Sequence, residues 1–244
     1  MKLNKLVLFS LLLLSFYGHA QLNNGVAVYN IEPINFIFKK NQKMVSENSK
    51  SLYEKLQKEI EKASEKINYK LTFDKKKSFF KTNNNYLEGN SIAKISTRVL
   101  DKGNIYNNIN GTKITQKDIY GNTFLIKSNS KDVKWTMSSE TKKVGEFKCY
   151  KATTIKKIKT FNRKVTAWYS PEIPVQFGPL GYGNLPGLIL KLEIERDGIY
   201  KLKEITLNPK IKIIIKEPQK GEKVTEEEFI NISKEMYLRK KNGL

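Results

Sequence analysis

The stretch that decides the fold is VSENSKSLYEKLQKEIEKASEKINYKLTF, residues 45–73. Leu52, Leu56, Ile60, Ala63 and Ile67 recur at intervals of four, four, three and four, which draws one apolar stripe along a helix. The positions between them are mostly Lys, Glu, Ser and Gln, so the opposite face is a solvated one. From Ile67 the period falls to two: Ile67, Tyr69, Leu71 and Phe73 alternate with polar residues, as in a strand with one buried face. The stretch therefore predicts a helix over about 45–67 that runs directly into a sheet and packs its stripe upon it.

Outward from there, the same alternation returns at Val133, Trp135 and Met137, at Val165, Ala167 and Tyr169, and at Leu188, Leu190, Leu192 and Ile194. Tyr200 with Leu202, and Ile211 with Ile213 and Ile215, read as neighbouring core strands, and a short apolar segment from Val26 to Phe38 precedes the helix. Turn signals at Asp101-Lys102-Gly103-Asn104, Asn110-Gly111 and Gly121-Asn122 cut the middle of the chain into hairpin-length pieces. Near the C-terminus Thr225 and Glu228 are spaced as a capping box, and Val224 and Phe229 as a hydrophobic staple, while Ile232 and Met236 continue the apolar side. Arg239, Lys240 and Lys241 stand where the helix dipole favours cations, so a helix is predicted from about Glu226 to Lys240. The expected fold class is β-rich α+β: a single antiparallel, curved sheet packed with an early amphipathic helix and a C-terminal helix.

The first residues, MKLNKLVLFSLLLLSFYGHAQ, place Lys2 and Lys5 before an apolar stretch from Leu6 to Leu14, then the small residues Gly18 and Ala20. That is the order of a secretory signal, with cleavage expected after Ala20. The apolar stretch is roughly half the ~20 residues a spanning helix needs, so a membrane-spanning chain is not expected. No Cys lies near the cleavage point to carry a lipid. Residues 21–244 are then expected to form one domain in the periplasm or on the outer side of a Gram-negative envelope.

The whole chain has 45 basic and 24 acidic residues. With Lys2 and Lys5 removed, 43 basic residues face 24 acidic ones, a net charge of +19. Such a chain suits an anionic partner. Nucleic acid is not the expected one, because only four of the basic residues are Arg (Arg98, Arg163, Arg196 and Arg239), whose fork reads bases and phosphates. The anionic envelope surface is the natural alternative. The single His, His19, lies in the signal segment, and Cys149 is the single Cys. A chain without His beyond residue 20 has no Ser-His or Cys-His nucleophile and no imidazole-thiolate metal site, and one Cys makes no internal disulfide. No cofactor is implied.

Three ordered segments stand out: VGEFKCYKATT from Val144, FNRKVTAWYSPEIPVQFGP from Phe161, and NLPGLILKLE from Asn184. Together they resemble the GLPGLI family, exported proteins of undefined function from one Gram-negative phylum. The resemblance implies export and a β-rich fold more than any activity. It marks Cys149, Arg163, Trp168, Tyr169, Pro171, Ile173, Pro174, Gly178, Pro179, Asn184, Leu185, Pro186, Gly187, Leu188 and Ile189 as motif positions, either structural or part of a binding rim. Two positions depart from the family pattern, where Asn184 and Asn162 stand for Gly. Asn tolerates positive φ best among non-glycines, so both substitutions suit left-handed turns.

From the residues themselves, the prolines and glycines of 171–187 predict a loop that cannot join a ladder, with Leu185-Pro186-Gly187 as a rigid turn closing one end of the sheet. Against that stands a rim on which Trp168, Tyr169, Phe177 and Tyr182 offer an apolar or sugar-binding surface. Cys149, between Phe147 and Tyr150, reads as a small core residue, with Lys148 and Lys151 as the nearest groups able to activate a thiol. Arg163 is a candidate for a specific polar role, with Glu172 as a surface ion partner. The expected function is non-catalytic: binding or helping to assemble an envelope component. The alternative is a basic surface protein that holds acidic polysaccharide or anionic lipid. A hydrolase using carboxylates such as Glu193 and Glu195, or a Ser-Lys pair, is the enzymatic alternative, though no spacing picks out such a pair.

Overall fold

The computed structural model describes residues 24–34, 47–83, 91–158 and 161–242. The first 23 residues, with Ala20, and the second half of the early apolar segment lie outside them. The amphipathic stripe becomes helix α1 (Glu47–Lys66), which ends where Ile67 leads into β2 (Asn68–Asp74). Ile60, Ala63 and Ile67 are buried as the stripe predicts, but Leu52 is 55% exposed.

Twelve strands among the described residues form one curved, mostly antiparallel sheet. Besides β2 they are β1 (Asn24–Pro33), β3 (Lys77–Asn83), β4 (Asn104–Asn108), β5 (Thr112–Ile119), β6 (Asn122–Asn129), β7 (Thr136–Val144), β8 (Phe147–Ile158), β9 (Phe161–Ser170), β10 (Leu188–Ile194), β11 (Gly198–Leu207) and β12 (Glu222–Thr225). The spatial order is β12-β6-β5-β4-β3-β2-β1-β11-β10-β9-β8-β7, and β12 alone pairs in parallel, with β6. The expected β-rich α+β class is the one observed. The sheet has two arms, β2 to β6 with β12 and β11 to β7, that meet at β1.

Short polar turns join β4 to β5 and β5 to β6. Asn110-Gly111 turns β4 into β5, and Tyr120-Gly121 turns β5 into β6, with φ of 49° at Tyr120 and 85° at Gly121. Helix α2 (Ser91–Leu100) packs on α1, and α1 packs on β1.

The inward face carries the core. Tyr29, Tyr69, Leu71, Phe73, Phe80, Leu192 and Tyr200 are buried on it, and Tyr69 stacks on Phe80 with centroids 5.4 Å apart and meets Tyr200 edge-on at 5.3 Å. Each of the three tyrosines finds a partner for its hydroxyl, as a buried O–H requires. Tyr29 donates to the Ile189 carbonyl at 2.8 Å, Tyr69 to the Leu100 carbonyl at 2.7 Å, and Tyr200 to the Asp197 carboxylate at 2.8 Å. Asp197 also pairs with Lys102 at 2.8 Å, which ties the loop after α2 to the β10–β11 turn.

The C-terminal helix α3 (Glu226–Lys241) starts on the predicted capping box, with Glu228 N donating to Thr225 Oγ1 and Thr225 N donating to the Glu228 carboxylate. Phe229, Ile232 and Met236 pack on Phe124, Ile126 and Val224, a small second core at the β6–β12 edge.

One predicted strand forms only from Thr136 onward, and another does not form. Residues 130–132 instead make a 3-10 turn capped by Asn129, after which Trp135 donates its indole N–H to the Gly183 carbonyl at 2.8 Å. Residues 133–135 are irregular, and Met137 joins the edge strand β7 with 54% of its surface exposed. The isoleucines 211, 213 and 215 run without regular structure, and Ile211 is 81% exposed. Asn208 turns to φ 47° and Pro209 has no N–H to donate, so the ladder of β11 stops before them.

A lysine-lined cleft at the motif loop

The loop 171–187 lies on the inward face and links the two arms. It contains one isolated bridge, Phe177 to Gly183, and then delivers Leu188 into β10. Ile173 O accepts from Leu188 N at 3.0 Å and Phe177 O from Ile189 N at 3.0 Å, so the loop doubles back along the strand it feeds. On the far side Asn107 of β4 donates to the Gly181 carbonyl at 3.2 Å, and Asn184 donates to the Ser130 carbonyl at 2.6 Å.

Glycines are needed where these strands of chain touch. A Cβ on Gly187 would stand 2.1 Å from the Ser170 carbonyl oxygen, and one on Gly183 would stand 2.3 Å from that of Gln176.

The motif positions are distributed accordingly. Ile173, Gly178, Pro179, Leu185, Gly187, Leu188 and Ile189 are buried, while Pro171, Pro174 and Pro186 face outward. Asn184 stands at φ 61°, the left-handed turn its substitution for Gly predicts. Asn162 does not: it is paired in β9 opposite Lys157, within the extended strand.

The four aromatics of the rim reading are all packed inside, Trp168 and Tyr169 at 5% exposure, Phe177 at 2% and Tyr182 at 8%. Trp168 lies under the Lys142 ammonium at 3.7 Å, and Tyr169 leans on Tyr150 at 6.1 Å. Cys149 is buried in β8, and burial together with the Glu172 carboxylate pushes its thiol up to about 11. Glu172 accepts the backbone N–H of Lys148 at 3.0 Å, and Arg163 faces Lys156 across the β8–β9 ladder.

Where the loop meets both arms it leaves a cleft of about 460 Å³. Lys113 and Ser128 from β5 and β6 form one wall, and Thr154 to Lys157 of β8 form the other. Gly181 and Tyr182 of the loop also line it, as do Glu226 and residues of the segment from Asn129 to Lys134, Asp132 among them.

Strand alternation explains how cations gather here. Going along β8 and β9, the inward cross-strand pairs run Ala152 with Ala167, Thr154 with Val165, and then Lys156 with Arg163. Like charges directly opposite are a pairing that a sheet disfavours by itself. On the other arm Lys113 sits opposite Asn107 and Ser128, again on the inward face.

The Lys113 side chain lies against Gly181, where a Cβ would come within 2.9 Å of its Cε, and its ammonium is 5.8 Å from the centre of the Tyr182 ring. Burial, with the neighbouring Lys156 ammonium, draws Lys113 down to about 8 against the opposing influence of Glu226. Burial likewise pushes the Tyr182 phenol up to about 12, offset in part by Arg163.

Among the described residues, Lys113 makes no hydrogen bond to a serine hydroxyl, and no three His, Cys, Asp or Glu side chains gather as metal ligands would. Glu193 lies outside the cleft, 2.8 Å from Lys191, and Glu195 accepts the Lys164 backbone N–H at 3.2 Å.

Sequence reasoning singled out Arg163 and Tyr182 near this cleft but missed Lys113, Lys134, Lys156 and Lys157. The signal that could have found Lys113 is a cation on the inward parity of β5, where an apolar residue is the norm.

Fold and cleft together define a curved-sheet protein with a basic recess at the loop between its arms. A family model described as a protein of unknown function (Porph_ging) matches residues 157–191, the end of β8, all of β9, the motif loop and the start of β10. No curated protein matches the chain in sequence.

Among solved structures the chain is similar to PNGF-II in its P21 crystal form, at 12% identity and a TM-score of 0.50, over 86% of this chain and 33% of that one. The C2 form of PNGF-II gives 13% identity, a TM-score of 0.49 and coverage of 86% and 32%. The chain thus spans about a third of PNGF-II's length, and the likeness is one of fold. Among the described residues no helix is long and apolar enough to cross a membrane.

Proposed function

We propose that this chain is an exported, non-catalytic binding protein of the GLPGLI type, and that it uses the cleft to hold an anionic group of an envelope component. The observation that carries this reading is the convergence of Lys113, Lys134, Lys156 and Lys157 on one recess whose acidic lining is Asp132 and Glu226. Charge-assisted hydrogen bonds from ammonium groups to carboxylate, sulfate or phosphate are the strong contacts such a recess offers. An acyl chain has less to bind, because the inward face is occupied by Ile60 and Ala63 of α1 and by Ile173, Val175 and Phe177 of the loop. The matched segment 157–191 contains Lys157, Gly181 and Tyr182, so the cleft and the motif region are one structure. The basic chain and the signal-like segment at residues 1–20 support a place in the anionic envelope, in the periplasm or on its outer side.

Isothermal titration of the purified chain with oxalate and with inorganic phosphate tests the reading. Binding should weaken as salt rises, and Lys156→Gln should lower the affinity about tenfold, the worth of one charge-assisted contact. Absence of heat with both anions, or an unchanged affinity in a Lys156→Gln, Lys157→Gln double variant, would sink it.

A further inference from the structure

A lysine that serves only as a counter-ion gains nothing from being enclosed beside another cation, since both features disfavour its charge. Lys113 has both. Its stem lies against Gly181, a position where any side chain would displace it, and its amine is directed over Tyr182 into a cleft shared with Lys156. The same two devices, desolvation and a neighbouring cation, are how proteins raise the free-amine fraction of a nucleophilic lysine.

Building on the anion-binding reading of this cleft, we infer that its ligand is an anionic carbonyl compound, captured reversibly as an imine on Lys113. Lys156, on the inward face of β8, holds the anionic group, which leaves the carbonyl carbon toward the amine. The Lys113 lone pair attacks that carbon, a C–N bond forms, and the carbonyl oxygen takes up a proton to give a carbinolamine. The nitrogen then loses its proton, the C–OH bond breaks, and water departs to leave C=N. Glu226, which lines the same cleft as Lys113, accepts the proton from nitrogen and returns it to the leaving hydroxyl. Nothing is oxidised or reduced, and hydrolysis releases the ligand unchanged.

Glyoxylate with cyanoborohydride at pH 7.5 is the test, because reduction fixes any imine as a carboxymethyl-lysine that peptide mapping assigns. With its amine at about 8 against the usual 10.4, Lys113 has roughly two hundred times the free-base fraction of an exposed lysine. Lys113 should therefore be labelled at least about tenfold faster than the exposed Lys55 and Lys203 even after allowance for its enclosure. Oxalate should protect it, and uncharged glycolaldehyde should label it no faster than those surface lysines. Lys113→Arg should abolish the rapid adduct while oxalate still binds. Labelling of Lys113 at or below the surface rate, with oxalate still bound, overturns the imine and spares the anion cleft. Equal labelling by glycolaldehyde overturns the anionic requirement, and loss of both labelling and oxalate binding overturns the reading on which the inference rests.

Discussion

Asn184 donates from its side-chain amide to the carbonyl of Ser130 at 2.6 Å while its own backbone stands at φ 61°. One residue thus makes the left-handed turn into the motif and links the loop to the 3-10 turn after β6. Asn184→Gly keeps the turn and loses the hydrogen bond, about 1 kcal/mol. Asn184→Ala loses the bond and adds a left-handed penalty of roughly 1–2 kcal/mol. Urea denaturation should rank the parent above the Gly variant and the Gly variant above the Ala variant; a more stable Ala variant would show that the turn is not what Asn184 supplies.

Gly187→Ala should be among the most damaging small substitutions in the chain, because its Cβ would meet the backbone of Ser170 and Pro171 rather than a side chain that can move. A loss above about 3 kcal/mol is expected, beyond the usual range for point changes. Gly145→Ala is the control: it carries the left-handed penalty of a φ of 61° but has nothing within 4 Å of the new Cβ, so it should cost only about 1 kcal/mol. Thermal melts of the two variants should differ widely, and similar melting temperatures would contradict the close approach.

Anion binding in the cleft should fall as pH rises through about 8. The folded Lys113 amine is held near 8, below the usual lysine range, so it is charged below that pH and neutral above it. An anion is bound more tightly while Lys113 is charged, and its affinity should therefore be full at pH 6 to 7 and fall about tenfold, the worth of one charge-assisted contact, as the proton leaves and the other lysines of the cleft remain. For the unliganded chain the sign is opposite: between about 8 and the unfolded lysine value the unfolded state binds more protons, so stability from this group increases with pH. Titration with oxalate at pH 6.5 and 9 checks the first statement, and urea midpoints at pH 7.5 and 9.5, compared with those of Lys113→Gln, check the second.

Cys149 should resist thiol reagents while the chain is folded. It is fully buried, and its thiol is pushed up to about 11, so little thiolate exists at neutral pH. Iodoacetamide labelling should proceed at the rate of unfolding and become rapid only in denaturant; prompt native-state labelling would place the thiol at the surface.

Thr225→Ala should loosen α3 without unfolding the sheet. It removes the hydroxyl that accepts from Glu228 N, about 1 kcal/mol, while the bond from the Thr225 backbone N–H to the Glu228 carboxylate stays, and the helix is held otherwise by the small cluster around Phe124 and Phe229. Hydrogen exchange should accelerate in α3 and at β12, and leave β1, β10 and β11 protected.

Much of the architecture was legible because it depends on local periodicity. Tyr69, Leu71 and Phe73 alternate with polar residues on a strand with one covered face, and all three are buried. The capping box at Thr225 likewise marks the start of α3 to the residue. The alternation at Val133 and Trp135 misled, because the indole N–H of Trp135 is satisfied by Gly183, forty-eight positions away, and not by a neighbouring strand. The isoleucines near 213 carry strand propensity, but Pro209 and the left-handed Asn208 end the ladder first.

By itself, then, the sequence determined the class of fold, the order of helix and sheet, the loop at 171–187 and the basic character of the surface, all of which follow from spacing, composition and backbone restriction. The cleft was decided only by the tertiary structure. Lys113 and Lys156 are forty-three positions apart and indistinguishable in sequence from the other lysines. They meet because the curved sheet brings β5 and β8 to the same loop, and the desolvation and mutual repulsion that set their chemistry depend on distance through space, which no local pattern encodes.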